Sequence, residues 1–434
     1  MVFWEILFIG IPIIMVVIAF INLNFALSMY VVYLVCVPYL DIKFMGISLG
    51  YNIVHIFLLI AFFINLLRKK HRLSITMIKP YIFFFFTTFL IIFVQDRIPI
   101  ETQLNLWRRE LMLVVIVPLI IYNLGLEDKS LVRYMTWALY ISLLIAGIYA
   151  VYLLTLPPGI NPYLMATLPL NGQEYKLSYA DDAVRSMERI FSTFSHPLAW
   201  CMFLSFFIIV FWNFYGKINK SLYYFIMFLA VFDLIFCGVR TGIAALSIPV
   251  IYLIIMHKKM KYIINSAIIL FFLALVVINN KTLFDYFYSI VDSSQTTTQG
   301  SNLEMRLFQW EGCIEECRGR ELVGNGYRWT EYYLTKYISH PKAIAFESLI
   351  FVIYTNWGIL GFLIWGLTFY FIFKSNRYGL KDKMSSIKLN AVLMLYIIFS
   401  TLTGEYGYMR WFALLHSILY IYLKNSEPKE IETK

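Results

Sequence analysis

The stretch that decides the fold is PLAWCMFLSFFIIVFWNFY, residues 197–215, which contains no charged side chain. A helix needs roughly 17–25 apolar residues to cross the hydrocarbon core of a bilayer. Thirteen apolar runs recur along the chain, and four of them are short enough to need a tilt. The longer runs are 3–21, 44–67, 111–126, 134–156, 197–215, 240–256, 261–278, 346–373 and 406–423; the shorter ones are 25–40, 80–95, 222–238 and 388–404. This pattern predicts an all-α, polytopic integral membrane protein with about 12–13 transmembrane helices, forming a single membrane domain over 1–434.

The composition excludes a soluble protein. Of 434 residues, 60% are hydrophobic and only 14% are charged, whereas soluble domains carry about 25% charged residues. A soluble fold needs polar side chains to cover its surface, and this chain has too few. A bilayer removes that requirement because lipid is the solvent for much of the outer surface.

The net charge of +10 has two interpretations, an anionic partner such as nucleic acid or a cytoplasmic side rich in Lys and Arg. If the basic cluster at 68–72 lies inside, six short segments face the cytoplasm and contain 20 of the 36 Lys and Arg residues. These segments are 68–79, 126–133, 216–221, 257–261, 374–388 and the tail from Lys424. The distribution obeys the positive-inside rule, so the charge sets orientation and requires no nucleic acid. The side on which the N-terminus lies stays open.

This orientation places two long loops outside, at 157–196 and 279–345. Long loops in compact proteins are usually functional or disordered. In the second loop, the sequence Ser301-Asn302-Leu303-Glu304 is typical of a capping box that starts a helix. Apolar residues then recur at helical spacing at Leu303, Leu307, Trp310 and Ile314. An amphipathic helix is therefore predicted near 302–317, lying on the membrane surface or covering a cavity.

Four predicted external features could carry chemistry. The first is a pair of arginines, Arg185 and Arg189, before the span at 197–215. The second is a glycine-flanked turn that contains Arg240. The structural alternative for the first pair is that both side chains anchor the protein to lipid headgroups. For Arg240 it is a salt bridge to Asp233 on the preceding helix.

The other two features lie in and after the second long loop. Arg306 and Trp310 are one helical turn apart, and a glycine-containing loop, 324–328, follows them and ends in Arg328. The glycines either let the backbone approach a ligand or simply form a turn. Glu347 begins an apolar run, and His340 precedes it by seven residues. A carboxylate at the edge of an apolar helix is costly unless it is paired or functional.

These residues favour an anionic ligand at the membrane surface. An ion-driven transporter would need charged side chains at mid-membrane depth, and the apolar runs offer no acidic relay. Guanidinium groups form paired hydrogen bonds with phosphate. The sequence contains no metal-ligand cluster, and Cys313 and Cys317 are four residues apart, which suits a disulfide poorly if the segment is helical.

In order and spacing, these segments resemble motifs of the O-antigen ligase and O-antigen polymerase superfamily of bacterial membrane enzymes. Residues 189–194 are similar to an arginine-led R-x-x-G-T-F stretch, with Ser192 in place of the usual glycine, and 239–242 is similar to an S-R-[ST/G]-G turn. Arg306 to Trp310 with 323–327 is similar to an R-x-x-x-W…G-x-G loop. Glu347-Ser348 lies eleven residues before 358–361, as in the family's re-entry helix.

The resemblance implies a metal-independent, GT-C-like glycosyltransferase of the bacterial cytoplasmic (inner) membrane, without a cofactor, whose active site faces the periplasm or exterior. It would act on oligosaccharides linked to undecaprenyl pyrophosphate. The catalytic residues would be Arg189 and Arg306, which stabilise the leaving pyrophosphate, and Glu347, the base. Substrate-binding residues would be Arg240, Arg185, Trp310, Arg328 and His340.

Family ligases carry a His-Asn pair where this chain has Glu347-Ser348. The glutamate favours a polymerase that joins repeat units into O-antigen, capsular or exopolysaccharide. The alternatives are an O-antigen ligase, which uses another acceptor, and a lipid-linked oligosaccharide flippase. The expected partners are the lipid-linked oligosaccharide, membrane lipids, a chain-length regulator and a flippase, with no nucleic acid.

Overall fold

A computed structural model describes residues 2–37, 43–44, 47–48, 51–70, 72–157, 159–171, 189–256, 303–337 and 339–427. This part of the chain is helical apart from its connecting segments and two antiparallel two-residue strands, β1 (Lys43–Phe44) and β2 (Ile47–Ser48). The prediction of an all-α chain is confirmed at that level. The apolar run predicted at 44–67 begins with these strands, and its helix starts only at Tyr51, directly after Gly50, a residue type that is unfavourable inside helices.

The described helices are numbered in chain order. They are α1 (Val2–Ile21), α2 (Leu23–Cys36), α3 (Tyr51–Lys69), α4 (Lys79–Ile92), α5 (Ile100–Leu111), a π-helical turn (Met112–Ile116), α6 (Val117–Glu127), α7 (Ser130–Leu153), α8 (Pro162–Thr167) with a 3₁₀ turn (Leu168–Asn171), α9 (Pro197–Trp212), α10 (Lys220–Phe236), α11 (Arg240–Met256), α12 (Leu303–Glu316), α13 (Trp329–Tyr337), α14 (Leu349–Gly379), α15 (Lys383–Thr403) and α16 (Met409–Ser426).

Among the described residues, four helical segments are long and apolar enough to cross a membrane. They are Ile100–Glu127, which joins α5 to α6 through the π turn, and the helices α7, α14 and α15. Five shorter apolar helices accompany them. The predicted total of 12–13 spans stays a prediction, and its run at 261–278 lies outside the described residues. Residues 172–188 and 279–302 of the two predicted external loops lie outside them as well.

Helix α12 occupies the place where an amphipathic helix is predicted, but it buries a different face. Leu307, a member of the predicted apolar stripe, is 58% exposed. The face that is fully buried contains Gln309 and Cys313, while the Trp310 ring stacks on Phe351 of α14 at a centroid distance of 5.8 Å. Helix α12 is therefore fixed against the first half of α14.

Helix α14 is interrupted at Gly358, whose φ of +61° is not helical. Segment 321–326 fills the interruption. Four backbone hydrogen bonds of 2.8–3.2 Å join the two: the N–H groups of Asn325 and Gly326 donate to the carbonyls of Thr355 and Asn356, and the N–H groups of Ile359 and Leu360 donate to the carbonyls of Glu321 and Leu322. In apolar surroundings, backbone groups released by a broken helix need such partners.

We expect Gly358→Ala to destabilise the fold. A Cβ atom at this position would lie 2.4 Å from the carbonyl oxygen of Glu321, and the backbone conformation alone costs a residue with a side chain about 1–3 kcal/mol. The matched control is Gly366→Ala on the same helix, because a Cβ there meets no atom within 4 Å and alanine favours a helix over glycine. Thermal midpoints of the two purified variants in detergent should move in opposite directions. An unchanged midpoint for Gly358→Ala would show that the interruption tolerates a side chain.

One end of the helix assembly gathers the starts of several helices. Residues at the beginnings of α9, α11 and α16 and just before α14 border a common cavity together with the end of α15. Helix N-termini carry unpaired N–H groups and a partial positive charge, so they favour anions. At three of these starts, side chains of His196, Ser348 and Glu405 accept N–H groups of the backbone, so the preference of this end for an anion depends on the side chains around it.

Candidate functional site

The cavity at this end has a volume of about 490 Å³. Its lining contains four of the residues singled out in the sequence, Arg189, Arg240, Arg306 and Glu347. They come from four segments that are far apart in the chain, and the fold brings them together. Further polar residues of the lining are His196, Tyr406, Tyr408 and Arg410.

Arg306 lies close to Glu347 in the lining of the cavity. The Nη2 atom of Arg306 lies 3.7 Å from Oε2 of Glu347 and donates a hydrogen bond of 3.0 Å to the carbonyl oxygen of Leu402. Its Nη1 atom is buried and has no hydrogen-bond partner in the described part of the chain. Burial lowers the pKa of the Arg306 guanidinium below its ordinary value, and the negative charge of Glu347 opposes the shift. The guanidinium thus retains a donor for a ligand.

Glu347 is held in place by an unusual backbone path. Ile344 and Phe346 both have positive φ values, +48° and +52°, which side-chain-bearing residues rarely adopt. Phe346 is buried, Tyr406 donates its hydroxyl to the carbonyl oxygen of Ala345, and Ser348 caps α14 by accepting the N–H of Ile350. Strained backbone of this kind clusters at functional sites because the surrounding contacts must maintain it.

Arg189 precedes a segment that is anchored on three sides. Ile190 donates its N–H to the carbonyl oxygen of Phe236 at 3.2 Å, and Thr193 donates its hydroxyl to that of Val35 at 2.7 Å. Ser192 has a φ of +51° and donates its hydroxyl to the carbonyl oxygen of Ala146. A glycine adopts this conformation without cost, which explains why the similar family motif has glycine there. The Nε atom of Arg189 is buried and has no hydrogen-bond partner among the described residues.

Arg240 is the first residue of α11 and follows Gly238, whose φ is +64°. The structural alternative for Arg240 was a salt bridge to Asp233. Asp233 is fully buried, and neither oxygen of its carboxylate has a hydrogen-bond partner in the part of the chain that the structure describes. The Asp233 carboxylate lies instead beside Gly147 of α7, where a Cβ would be 2.9 Å from Oδ2. Arg240 is therefore placed at the cavity without that salt bridge.

His196 and Arg410 also line the cavity, although neither is among the predicted site residues. His196 caps α9, because its Nδ1 atom accepts the N–H of Leu198 at 3.1 Å; in the neutral ring the proton is then on Nε2. Arg410 lies in the first turn of α16, with its guanidinium 5.5 Å from the ring centroid of Trp411. An arginine within an apolar run is itself a sign of function, and this signal is present in the run at 406–423.

Three other described residues predicted to bind substrate, Trp310, Arg328 and His340, do not line the cavity. Trp310 packs between rings of α14, with Tyr354 at a centroid distance of 5.0 Å. Arg328 is paired with Glu110 and with Glu331. The remaining residue predicted to bind substrate, Arg185, lies outside the described residues, so its position stays a prediction.

His340 belongs to a network that attaches α12 to its surroundings. Its Nδ1 atom accepts the N–H of Ala343 at 2.8 Å, and its Nε2 atom lies 3.3 Å from Oε2 of Glu316. Glu316 also pairs with Arg97. The hydrogen bond from His340 and the charge of Arg97 lower the pKa of the Glu316 carboxyl. These contacts place His340 at the C-terminal end of α12, whereas Arg306 lies in the first turn of that helix.

We expect Arg328→Gln to lower stability. The Arg328 side chain is only 14% exposed, and its loss would leave the half-buried Glu110 carboxylate without its cation. Hydrogen bonds to charged groups contribute about 1.5–3 kcal/mol each. Thermal midpoints in detergent should fall for Arg328→Gln and stay unchanged for the exposed control Arg318→Gln. A normal midpoint combined with weakened substrate binding would instead support the predicted binding role.

The charges of the cavity suit an anion with more than one negative charge. Among the described residues of its lining, four arginines accompany one glutamate. At least two of the guanidinium groups, those of Arg189 and Arg306, contain buried nitrogen atoms without described hydrogen-bond partners. Paired hydrogen bonds from guanidinium are strongest with phosphate and carboxylate. Elsewhere in the described chain, no three His, Cys, Asp or Glu side chains are grouped closely enough to hold a metal ion.

Comparison of the chain with models of known protein families gives no match, and comparison with curated protein sequences gives none either. The resemblance to the O-antigen ligase and polymerase superfamily is therefore a resemblance of short motifs.

Proposed function

We propose that the chain is a membrane glycosyltransferase that joins oligosaccharide repeat units carried on a polyprenyl pyrophosphate such as undecaprenyl pyrophosphate. The observation that carries this proposal is the lining of one 490 Å³ cavity by Arg189, Arg240, Arg306 and Glu347. The arginines match the charge of a pyrophosphate, and the carboxylate supplies a base. When a hydroxyl displaces a pyrophosphate from a sugar, a base assists the attack and cationic donors stabilise the leaving group.

We further propose that the chain crosses a bacterial cytoplasmic membrane many times and that the cavity opens on the outer side. Four helical segments are long and apolar enough to span, which supports the membrane setting. Helix α16 has Arg410 of the cavity in its first turn and Lys424 in its last turn. Lys424 begins one of the basic segments that the positive-inside rule assigns to the cytoplasm, so the opposite end of α16 faces outward.

In the proposed reaction, a hydroxyl oxygen of the acceptor sugar attacks the anomeric carbon of the donor. Glu347 accepts the hydroxyl proton as the new C–O bond forms. The bond between the anomeric carbon and the pyrophosphate oxygen breaks, and the lipid pyrophosphate leaves with the electron pair. Arg189 and Arg306 stabilise the charge that develops on it, with Arg240 and Arg410 as further donors. No net oxidation or reduction occurs.

The spacing of Arg306 and Glu347 fits these separate roles. Their closest atoms are 3.7 Å apart, which is an ion pair rather than a hydrogen bond. Arg306 Nη2 is directed to the carbonyl of Leu402, and its Nη1 has no hydrogen-bond partner among the residues that the structure describes. The carboxylate is 36% exposed, so a hydroxyl group can reach it. The proposed base and the proposed anion site are thus adjacent, and no hydrogen bond joins the Glu347 carboxylate to Arg306 Nη2.

The test is to incubate the purified protein in lipid nanodiscs with a synthetic lipid-linked repeat unit and to separate the products by length. A polymerase gives a ladder of lengths and releases lipid pyrophosphate in proportion. Product formed only after addition of a different acceptor would identify a ligase. Transfer of the substrate across the bilayer without a new bond would identify a flippase. Either of these last two results would overturn the proposal.

A further inference from the structure

A second concave region lies between α2 and α7, and none of its lining residues belongs to the lining of the arginine cavity. It is an apolar groove with a volume of about 850 Å³ whose walls include Met29, Val32, Trp137, Ile141 and Ile145. Its lining on α7 extends from Ser130 to Ile145, a length of about 22 Å along a helix. That length exceeds the depth of one bilayer leaflet, about 15 Å.

A basic pocket of about 300 Å³ adjoins one end of the groove. It is lined by Lys129, Arg133 and Lys217, together with Asn425 and other residues near the end of α16. Arg133 and Trp137 line both the pocket and the groove, so the two are continuous. All three cations are exposed, and none forms an ion pair with a carboxylate of the described chain.

The basic pocket and the arginine cavity lie at opposite ends of α16. Arg410, in the first turn, lines the cavity, and Asn425, in the last turn, lines the basic pocket. Fifteen residues of helix separate them by about 22 Å. The basic pocket is therefore not an extension of the proposed active site.

We propose that the basic pocket and the groove form one binding site for an anionic phospholipid. The phosphodiester binds Lys129, Arg133 and Lys217, and the acyl chains lie in the groove along α7. The two halves of the site complement the two halves of such a lipid. The ammonium group of a zwitterionic headgroup would be repelled by the three cations of the pocket. A free phosphate would leave the groove without an occupant. Basic pockets between membrane helices bind anionic headgroups in this way. This site does not depend on the proposed glycosyltransferase function.

The headgroup half is tested with the full-length protein in detergent by native mass spectrometry, using dioleoylphosphatidylglycerol and dioleoylphosphatidylcholine as probes. Retention of the phosphatidylglycerol should exceed that of the phosphatidylcholine, which has the same chains. Each of Arg133→Gln and Lys217→Gln should weaken phosphatidylglycerol binding about fivefold, as expected for one cation at a membrane surface. The matched control is Lys220→Gln, an exposed cation at the start of α10 that is not part of the pocket lining.

The groove half is tested by filling it. Ile141, which is 39% exposed, lines the groove, whereas Ile148 on the same helix is 51% exposed and is not part of its lining. Ile141→Trp should reduce phosphatidylglycerol retention at least tenfold, and Ile148→Trp should not change it. Both positions are at the surface, so thermal midpoints should stay close to that of the wild type.

Three results would overturn the proposal. The first is equal retention of the two lipids. The second is unchanged phosphatidylglycerol retention in the double variant Arg133→Gln/Lys217→Gln or in Ile141→Trp. The third is displacement of phosphatidylglycerol by soluble glycerol 3-phosphate at matched concentration, because the site would then recognise a phosphate alone. None of these measurements uses glycosyl transfer, so they stand whether or not the ladder of products is observed.

Discussion

Replacing Arg306 by alanine is expected to slow release of the lipid pyrophosphate by about 10²–10³-fold, the usual effect of removing one donor that stabilises a developing negative charge. Arg306 combines a buried Nη1 atom that lacks a described partner with partial exclusion of water, since its side chain is 24% exposed. A donor in such surroundings acts more strongly than one in bulk water. The measurement is the single-turnover rate of pyrophosphate release from the lipid-linked substrate.

Two further variants, a control and a conservative substitution, test the interpretation of the Arg306→Ala rate. Arg318→Ala removes an exposed arginine just beyond the same helix and should leave the rate unchanged. Arg306→Lys keeps the charge but loses the planar pair of donors, so it should retain only part of the activity. If Arg306→Ala released pyrophosphate at the wild-type rate, Arg306 would have no part in leaving-group stabilisation.

Replacing Glu347 by glutamine is expected to reduce polymer formation by about 10²–10⁴-fold, the contribution of a positioned general base. Glutamine has nearly the same shape and keeps the contacts of the turn, so the backbone path through Ile344 and Phe346 should persist. Binding of the lipid-linked substrate should be retained, because the carboxylate carries no part of the phosphate recognition. The expected signature is a fall in kcat with little change in KM.

The control for this substitution is Glu311→Gln, a change of the same chemistry at an exposed position of α12, which should leave the products unchanged. Length of the polymer in cells gives a second measurement. Polymer of full length from Glu347→Gln would rule out the base assignment, and loss of substrate binding would indicate that Glu347 orients the acceptor instead.

The apolar helices were largely predictable because their signal is local. Runs of apolar residues predict α7, α9 and α15 directly, since lipid and protein interior both select such side chains. Helix α5 was not predicted, because its exposed and polar residues give no apolar run. The interruption of α14 at Gly358 was hidden inside the run at 346–373, because it depends on backbone from 321–326 that is distant in sequence.

The candidate site was predictable only in part. Arg240 and Glu347 were identified as charged residues at the ends of apolar runs, since a charge in that position needs a reason to be there. Arg189 and Arg306 were identified within the two predicted external loops. Arg410 was overlooked within an apolar run. Tryptophan and arginine are common in binding sites, which is why Trp310 and Arg328 were predicted to bind substrate. The spacing of the sequence does not reveal that Trp310 packs on aromatic rings and that Arg328 pairs with carboxylates.

The segment that fills the interruption of α14 has a consequence for how the protein can open. Because 321–326 completes the hydrogen-bonding ladder of α14, it cannot swing away as a lid without leaving four backbone bonds unmade. Each buried unmade bond costs about 1–3 kcal/mol, so such an opening would be rare. Helix α12, which ends just before this segment, shares that rigidity. Arg306 therefore belongs to a rigid part of the cavity lining, and a substrate must enter the cavity past other residues of that lining.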